Sequence, residues 1–183
     1  MPVRGGGVVV HGRDDNEPLL ELGLPDEAAT LALGAALGGA VVAGLFIYLE
    51  GDLGAGKTTL VRGMLRGCGY DGKVKSPTYT IVELYPILPL NFYHFDFYRL
   101  NQPEEVLDAG LDECFRGDAV CLFEWPDKAL PHIPAADLVI ELALAPVGRC
   151  ARVRAIGARG EVCLKNLITN LPAGLVPNRA AGS

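Results

Sequence analysis

The chain has 183 residues, of which 50% are hydrophobic and 21% charged, and its formal net charge is -6. A chain of this length forms one domain that buries about 70% of its unfolded surface, and this composition is typical of a globular protein, not of a disordered one. Because phosphate backbones are held by clustered Lys and Arg, the negative charge argues against a protein that grips nucleic acid on a basic surface.

The five cysteines include no Cys-x-x-Cys pair and leave one over; they stand at positions 68, 114, 121, 150 and 163. This spacing predicts neither a disulfide framework nor a zinc site, and it fits reduced thiols in the core of a cytoplasmic protein. Residues 1–10 show no secretory signal. The uncharged run 31–49 has the length of a membrane span, but four glycines interrupt it, so we expect a helix followed by a strand and no membrane contact.

The first predicted elements lead up to a glycine-rich stretch. Residues 1–16 contain a glycine triplet and predict a flexible leader or a short edge strand. A strand is expected at residues 19–24 and a helix at residues 25–38, since two acids in the first turn favour the positive end of the helix dipole. The uncharged run 45–49 predicts a strand that is buried on both faces.

The glycine-rich stretch GDLGAGKTT, at residues 51–59, matches the phosphate-loop pattern G-x-x-x-x-G-K-[ST] without a mismatch. A strand precedes it and apolar residues at helical spacing follow it, which is the context that this motif requires. Its glycines let backbone N–H groups converge on phosphate oxygens. Lys57 is expected to bridge the β- and γ-phosphates, and Thr58 is expected to bind Mg²⁺. The predicted nucleotide contacts are therefore Gly51, Asp52, Leu53, Gly54, Ala55, Gly56, Lys57, Thr58 and Thr59.

The next elements form a predicted hairpin. A connector at residues 73–78 leads into the alternating run 79–85, which predicts a strand that Pro86 and Pro89 then break. A second strand is expected at residues 91–96, and it pairs with the first.

The remaining elements complete an α/β pattern. Residues 102–115 predict a helix in two pieces, residues 119–124 a buried strand, and residues 137–144 and 149–156 a hairpin. The stretch 170–183 is rich in Pro, Gly and Ala and predicts a flexible tail.

The predicted domain therefore spans residues 17–169. The expected fold is a three-layer α/β P-loop NTPase-like fold, with a mixed and mostly parallel sheet flanked by helices.

Two of the predicted strands end in an acid, Asp96 and Glu124. Ligands of open α/β sheets bind at the carboxyl edge, where both acids are expected. A nucleotide-bound Mg²⁺ takes a protein carboxylate beside the loop threonine, and hydrolysis also needs a group that orients water, so the two acids can fill both roles. Residue chemistry does not say which acid does which, and either one could instead cap a helix or pair with Arg99. Glu50 is expected to point away from the phosphates.

Three further residues near these acids have a structural interpretation beside the functional one. His94 alternates with aromatic residues inside a strand, so we expect a structural histidine. Trp125 either stacks near the nucleotide or fills a groove between strand and helix. Arg99 is expected to anchor the loop of Asp96 more than to act as an arginine finger.

Four motifs occur in order along the chain: GDLGAGKTTLVRGM at 51–64, KSPTYTIVE at 75–83, YHFDFYRL at 93–100 and FEW at 123–125. In this combination the chain resembles the TsaE family over residues 19–165. Members of that family are small bacterial ATPases that act with TsaB and TsaD to make the threonylcarbamoyl modification on adenosine 37 of tRNAs. The leader and the end of the chain match no motif of the family.

The resemblance implies a cytoplasmic ATPase that uses ATP and Mg²⁺, acts with TsaB and TsaD, and meets tRNA only through that complex. By similarity, Asp96 and Glu124 are the acids of the nucleotide site, Thr78 is a switch that faces the γ-phosphate, and Glu27 opens a helix near the base. The implied catalytic residues are Lys57, Thr78, Asp96 and Glu124. The implied metal ligands are Thr58, Asp96 and Glu124, and Glu27 and Trp125 join the loop in binding the nucleotide.

Three other classes of nucleotide-binding protein are alternatives to this ATPase. A small-molecule kinase would show an arginine-bearing lid and an acceptor pocket, and the sequence indicates neither. A GTPase would need an N-K-x-D motif, which the sequence does not contain. A non-hydrolysing ATP sensor that only binds partners remains open, and turnover separates it from an ATPase.

Overall fold

The structure is a computed structural model that describes residues 18–175, and a seven-stranded sheet lies at its centre. The strands are β1 (Leu19–Leu24), β2 (Phe46–Glu50), β3 (Val82–Ile87), β4 (Leu90–Asp96), β5 (Val120–Glu124), β6 (Leu138–Leu144) and β7 (Arg149–Ala155). Their spatial order is β1-β7-β6-β2-β5-β4-β3. Strand β2 lies between β5 and β6 and is parallel to both, and β4 is parallel to β5. Strand β7 is antiparallel to both β6 and β1, and β3 is antiparallel to β4. The other five strands of this sheet therefore share one direction, which confirms the predicted mixed and mostly parallel sheet.

Helices cover both faces of the sheet. They are α1 (Glu27–Gly38), α2 (Lys57–Gly67), α3 (Glu105–Asp108) and α4 (Ala158–Asn170), with two 3-10 helices at Leu111–Phe115 and Pro126–Lys128. Helices α1, α2 and α4 pack on one face, over a core made mainly of Leu, Val and Ile. The short helices cover the other face, where Phe95, Phe97 and Phe123 stack on one another. The three-layer α/β fold is therefore confirmed.

The start of α1 follows from its sequence. Asp26 is the N-cap residue, and its Oδ1 accepts a hydrogen bond from the backbone N–H of Ala29 at 2.8 Å. A side-chain oxygen at this position satisfies a backbone donor that the helix leaves free. The uncharged run 31–49 is thus divided between α1 and β2, as predicted. None of the helices within residues 18–175 has both the length and the hydropathy to cross a membrane.

Helices α1 and α2 cross at unusually short distance because glycines lie at their contact. A Cβ built on Gly63 would be 2.4 Å from the carbonyl oxygen of Leu31, and one on Gly34 would be 2.4 Å from that of Leu60. Since α2 begins directly at the phosphate loop, this contact fixes the position of the loop against the rest of the domain.

Some elements differ from the prediction. Helix α4 was not predicted, although its buried residues Cys163, Leu164 and Leu167 recur at helical spacing. Strand β3 begins at Val82, later than expected, and continues through Pro86. A proline is tolerated there because β3 is an edge strand of the sheet.

The predicted ends of the domain are only partly within the described chain. The predicted leader 1–16 lies outside the described residues, as do residues 176–183 of the predicted tail 170–183. Leu175 is 6% exposed and belongs to the core. The packed unit therefore reaches six residues further than the predicted boundary at 169.

All five cysteines lie in the described part of the chain, and each is a free thiol. Burial raises the pKa of Cys121 and of Cys163 to about 12. These two thiols therefore stay protonated at neutral pH and behave as small core residues.

Candidate nucleotide site

The glycine loop connects the carboxyl end of β2 to the amino end of α2. Gly51 has φ 136° and Gly56 has φ 107°, both in the left-handed region that favours glycine. A Cβ on Gly51 would also lie 2.3 Å from the carbonyl oxygen of Leu142 in β6. The loop therefore needs glycine at these positions, and the positive end of α2 opens directly beside it.

Lys57, the first residue of α2, is only 5% exposed. Its Nζ donates to the carbonyl oxygens of Gly51 at 2.5 Å and Asp52 at 3.0 Å, and it lies 4.3 Å from the centre of the Trp125 ring. Burial lowers the pKa of Lys57, while the charges of Glu124, Asp96 and Asp52 oppose that shift. The ammonium group is thus held within its own loop, beside the carboxylates.

Glu124 ends β5 and is 3% exposed. Its Oε1 accepts a hydrogen bond from Thr58 Oγ1 at 3.0 Å and lies 2.9 Å from His94 Nε2. The predicted acid and the predicted threonine of the metal site are therefore in direct contact. His94 is fully buried in β4, as expected for a structural histidine, but its contact with Glu124 was not predicted.

Asp96 ends β4 and is the register partner of Glu124 across the parallel pair of strands. Its Oδ1 accepts from the backbone N–H of Tyr98 at 3.0 Å, and its Oδ2 accepts from the hydroxyl of Ser76. Thr78 Oγ1 in turn donates to the carbonyl oxygen of Ser76 at 3.3 Å. The connector that carries Thr78 is therefore tied to Asp96.

Arg99 and Trp125 form the rim of the site. The Cζ of Arg99 lies 4.8 Å from the centre of the Tyr79 ring, so Arg99 contacts the residue that directly follows the connector. Trp125 has φ 57°, and its ring lies 5.1 Å from that of Tyr98 as well as next to Lys57. A left-handed conformation in a tryptophan costs energy and is most often found at functional sites.

These side chains surround an open cleft of about 460 Å³. Of the predicted site residues, the cleft is lined by Leu53, Gly54, Gly56, Lys57, Thr58, Thr59, Thr78, Asp96, Glu124 and Trp125. Gly51 and Asp52 line a smaller cavity of about 310 Å³ together with Glu50, which is not among the residues that line the cleft. Ala55 is buried in the core. Glu27 lies outside the cleft lining, on the exposed first turn of α1, 3.8 Å from Arg62.

The cleft also contains residues that the sequence did not single out, namely Ser76, Tyr98 and Arg149. Arg149 begins β7, and its Nη2 donates to the carbonyl oxygen of Gly54 at 3.3 Å. Its Nε is buried and has no hydrogen-bond partner among the described residues. Ser76 and Tyr98 stand inside the quoted motifs, so the motifs carried a signal for them, whereas nothing in the sequence places Arg149 beside the loop.

The donor atoms in the cleft suit a magnesium ion that arrives with a nucleotide. Within residues 18–175 no three His, Cys, Asp or Glu side chains are grouped so as to hold a metal ion by themselves. Thr58, Glu124 and Asp96 instead offer one hydroxyl and two carboxylates at the edge of the cleft. Mg²⁺ prefers oxygen ligands and is commonly bound by one or two carboxylates together with substrate phosphates and water. The residues present therefore fit Mg²⁺.

A glycine loop between a central parallel strand and a helix, with acids at the ends of the next two strands on one side of that strand, defines a P-loop protein. A family model described as "Threonylcarbamoyl adenosine biosynthesis protein TsaE" matches residues 24–151. The chain belongs to the TsaE family.

Curated relatives agree with this assignment, and each carries the name tRNA threonylcarbamoyladenosine biosynthesis protein TsaE. The relative from Haemophilus influenzae is 52% identical over 98 residues, which are 54% of this chain and 62% of that protein. The relative from Nostoc is 36% identical over 136 residues, or 72% of this chain and 83% of that protein. The one from Bacillus subtilis is 41% identical over 122 residues, or 66% and 76%. The match thus spans less than two thirds of the H. influenzae protein and more of the other two.

A solved structure has the same fold. The crystal structure of YdiB from Bacillus subtilis superposes with a TM-score of 0.72 at 31% sequence identity, covering 85% of this chain and 98% of that one.

Proposed function

We propose that the protein is a Mg²⁺-dependent ATPase that takes part in forming the threonylcarbamoyl modification of adenosine 37 in tRNA, in the cytoplasm and together with TsaB and TsaD. The observation that carries the ATPase proposal is the contact between Thr58 and Glu124 at the phosphate loop, with Asp96 in register beside it. The role in tRNA modification rests on the names of the relatives.

In this proposal one set of cleft residues binds the phosphates and another binds the metal ion. The loop and the start of α2 cradle the phosphates with backbone N–H groups, and Lys57 moves from its loop carbonyls to a phosphate oxygen. Thr58 and Glu124 would hold Mg²⁺, which when bound would neutralise charge on the phosphates, and Asp96 lies in register beside Glu124. Trp125 and Tyr98, whose ring centres lie 5.1 Å apart, line one side of the cleft.

We assign the two acids different parts on the basis of their neighbours. Glu124 contacts Thr58, the residue type that binds Mg²⁺ in phosphate loops, so Glu124 belongs to the metal side. Asp96 contacts Ser76 on the connector that carries Thr78, so Asp96 belongs to the side of the attacking water and of the switch. Rearrangement of the connector would then alter the position of Asp96, which gives TsaB and TsaD a means to activate hydrolysis.

Contact with tRNA is proposed to be indirect. The net charge is -6, and a protein that holds RNA by its phosphates needs clustered Lys and Arg. The partner complex would therefore supply the RNA-binding surface.

The test is phosphate release from Mg²⁺-ATP by the purified protein, alone and with TsaB and TsaD. We expect slow release alone and faster release with the partners, because one small domain does not hold every group of the transition state in place. Asp96→Asn and Glu124→Gln should each lower phosphate release at least tenfold, or about 1.4 kcal/mol of barrier, while the fold is retained. Asp108→Asn, an exposed acid on α3, is the matched control and should release phosphate at the wild-type rate.

The outcomes separate the candidate classes. ATP binding without phosphate release, whether partners are present or not, would indicate a non-hydrolysing sensor. Transfer of the phosphate to a small molecule instead of to water would indicate a kinase. Turnover near the wild-type level in both acid variants would remove Asp96 and Glu124 from the mechanism.

A further inference from the structure

His94 lies in the middle of the sheet, on β4, and its side chain is fully buried. Its Nε2 is 2.9 Å from Glu124 Oε1, and Thr58 Oγ1 donates to that same oxygen at 3.0 Å. The three side chains come from β4, β5 and α2, and they form a continuous line from the interior of the sheet to the phosphate loop.

Burial of the Glu124 carboxylate makes its hydrogen bond with His94 important. A carboxylate that is 3% exposed has lost nearly all its water, and a buried polar group left without a partner costs about 1–3 kcal/mol or more. A carboxylate oxygen can only accept, so Glu124 Oε1 has two possible donors, the hydroxyl of Thr58 and the Nε2–H tautomer of His94. If the Thr58 hydroxyl bound a metal ion instead, His94 would be the donor that still holds this oxygen.

We propose that His94 is a positioning residue, which holds the Glu124 carboxylate in the orientation that serves the nucleotide-bound Mg²⁺. The inference rests on the proposed function, since it concerns the same site. Hydrogen-bond partners of metal-binding side chains commonly change metal affinity or activity by about 10-fold to 100-fold when they are removed.

The surroundings of the imidazole argue against a role in packing alone. His94 Nδ1 is buried and finds no hydrogen-bond partner in the part of the chain that the structure describes. An apolar side chain of similar size would fill the space without leaving a buried nitrogen unpaired. The contact with Glu124 is the polar interaction that offsets this cost.

The test compares His94→Leu, which keeps bulk and loses the donor, with His94→Gln, whose amide keeps a donor of similar reach. The affinity for Mg²⁺-ADP and for ADP in EDTA is followed by the fluorescence of Trp125, the one tryptophan in the sequence. Phosphate release from Mg²⁺-ATP gives kcat and KM separately, and melting without nucleotide reports the fold. Phe92→Leu, a fully buried residue of the same strand, is the control for a purely structural loss.

We expect His94→Leu to weaken Mg²⁺-ADP binding and to lower kcat, each about tenfold or more, with ADP binding in EDTA unchanged. His94→Gln should recover a clear part of both. Phe92→Leu should lower the melting temperature and leave the effect of Mg²⁺ on ADP binding as in the wild type. If His94→Leu does not fold, His94→Asn takes its place, because its shorter amide is polar but does not reach Glu124.

Either of two results would overturn the inference. In the first, Mg²⁺ changes the affinity for ADP by the same factor in the wild type and in His94→Leu, or in His94→Asn where that variant replaces it. In the second, His94→Gln loses as much Mg²⁺-ADP affinity and kcat as the variant without the donor. The proposed function can fail separately. A wild type that binds Mg²⁺-ADP but releases no phosphate would refute the ATPase, while the binding data would still decide the role of His94. A wild type that binds no nucleotide would refute both.

Discussion

Replacing Gly63 by alanine tests the packing that holds the phosphate loop in place. The new Cβ would lie 2.4 Å from the carbonyl oxygen of Leu31 and 2.9 Å from its Cα. Both atoms belong to the backbone of α1, so no side-chain rotation can relieve the contact. Helices α1 and α2 would have to move apart by about 1 Å to reach an ordinary carbon–oxygen separation, which removes contacts along the whole crossing.

The sign of the effect depends on two opposing contributions. In an exposed helix, Gly→Ala stabilises by about 1 kcal/mol. Overpacking of a well-packed core typically costs about 1–3 kcal/mol and sometimes more, and a clash with backbone belongs at the upper end or beyond it. We therefore expect Gly63→Ala to lower the free energy of unfolding by about 2 kcal/mol, which lowers Tm by about 4–8 °C for a domain of this size.

Thermal unfolding followed by circular dichroism measures this change. Gly39→Ala is the matched control, since the nearest atom to its Cβ is Ala36 O at 3.6 Å and its backbone is in the right-handed helical region, with φ -74°. That variant should melt within about 2 °C of the wild type. Because α2 starts at the loop, Gly63→Ala should also weaken nucleotide binding. A Gly63→Ala protein as stable as the wild type, or more so, would refute the close crossing of α1 and α2.

Two charged residues near the loop give the remaining predictions. Burial raises the pKa of Glu50, the charges of Glu141 and Asp127 add to this, and Arg154 opposes it. A raised pKa means that the folded state favours the protonated acid, so Glu50→Gln should increase the free energy of unfolding at pH 8. The increase should fade as the pH falls below the pKa of Glu50 in the folded protein. Urea unfolding from pH 4 to pH 8 measures this change, and an equal effect at all pH values would contradict the reasoning. Mg²⁺-ATP at 100 times its dissociation constant should add about 2.7 kcal/mol to wild-type stability. Lys57→Met keeps most of the side-chain stem and should abolish that gain while melting near the wild type without nucleotide; a full gain in this variant would exclude Lys57 from binding.

The sequence predicted the centre of the site because its signals are local. The loop at residues 51–59 carries its own pattern, and the strand and helix beside it are visible as an apolar run and a helical repeat. Asp96 and Glu124 could be placed together because both end predicted parallel strands, and the carboxyl ends of such strands meet at one edge. In the structure the two acids are paired residues on the parallel strands β4 and β5, at that same edge.

Contacts between distant segments could not be predicted. Arg149 reaches Gly54 because the β6–β7 hairpin brings the start of β7 beside the loop, and no local pattern fixes that approach. The contact of His94 with Glu124 depends on the register of β4 against β5, which places both side chains on the same face of the sheet, and alternation among aromatic residues gave no sign of it. Glu27 was placed near the base by resemblance alone, and its side chain lies on an exposed turn beside Arg62.

If the cleft binds a nucleotide as proposed, its charges favour one form of that nucleotide. Asp96 and Glu124 are neighbours in register, and Asp52 adds a third carboxylate in the loop. The buried cation beside them is Lys57, and the guanidinium groups of Arg99 and Arg149 also line the cleft. A bare nucleotide would bring further negative charge next to these acids, and at short range in a partly buried site that repulsion is screened only weakly. A nucleotide that carries Mg²⁺ reverses the balance, since the ion offers both carboxylates a positive partner and leaves Lys57 free for phosphate. Under the proposed function, the acids that would oppose free nucleotide are therefore the groups that would select its magnesium complex, the form that an ATPase hydrolyses.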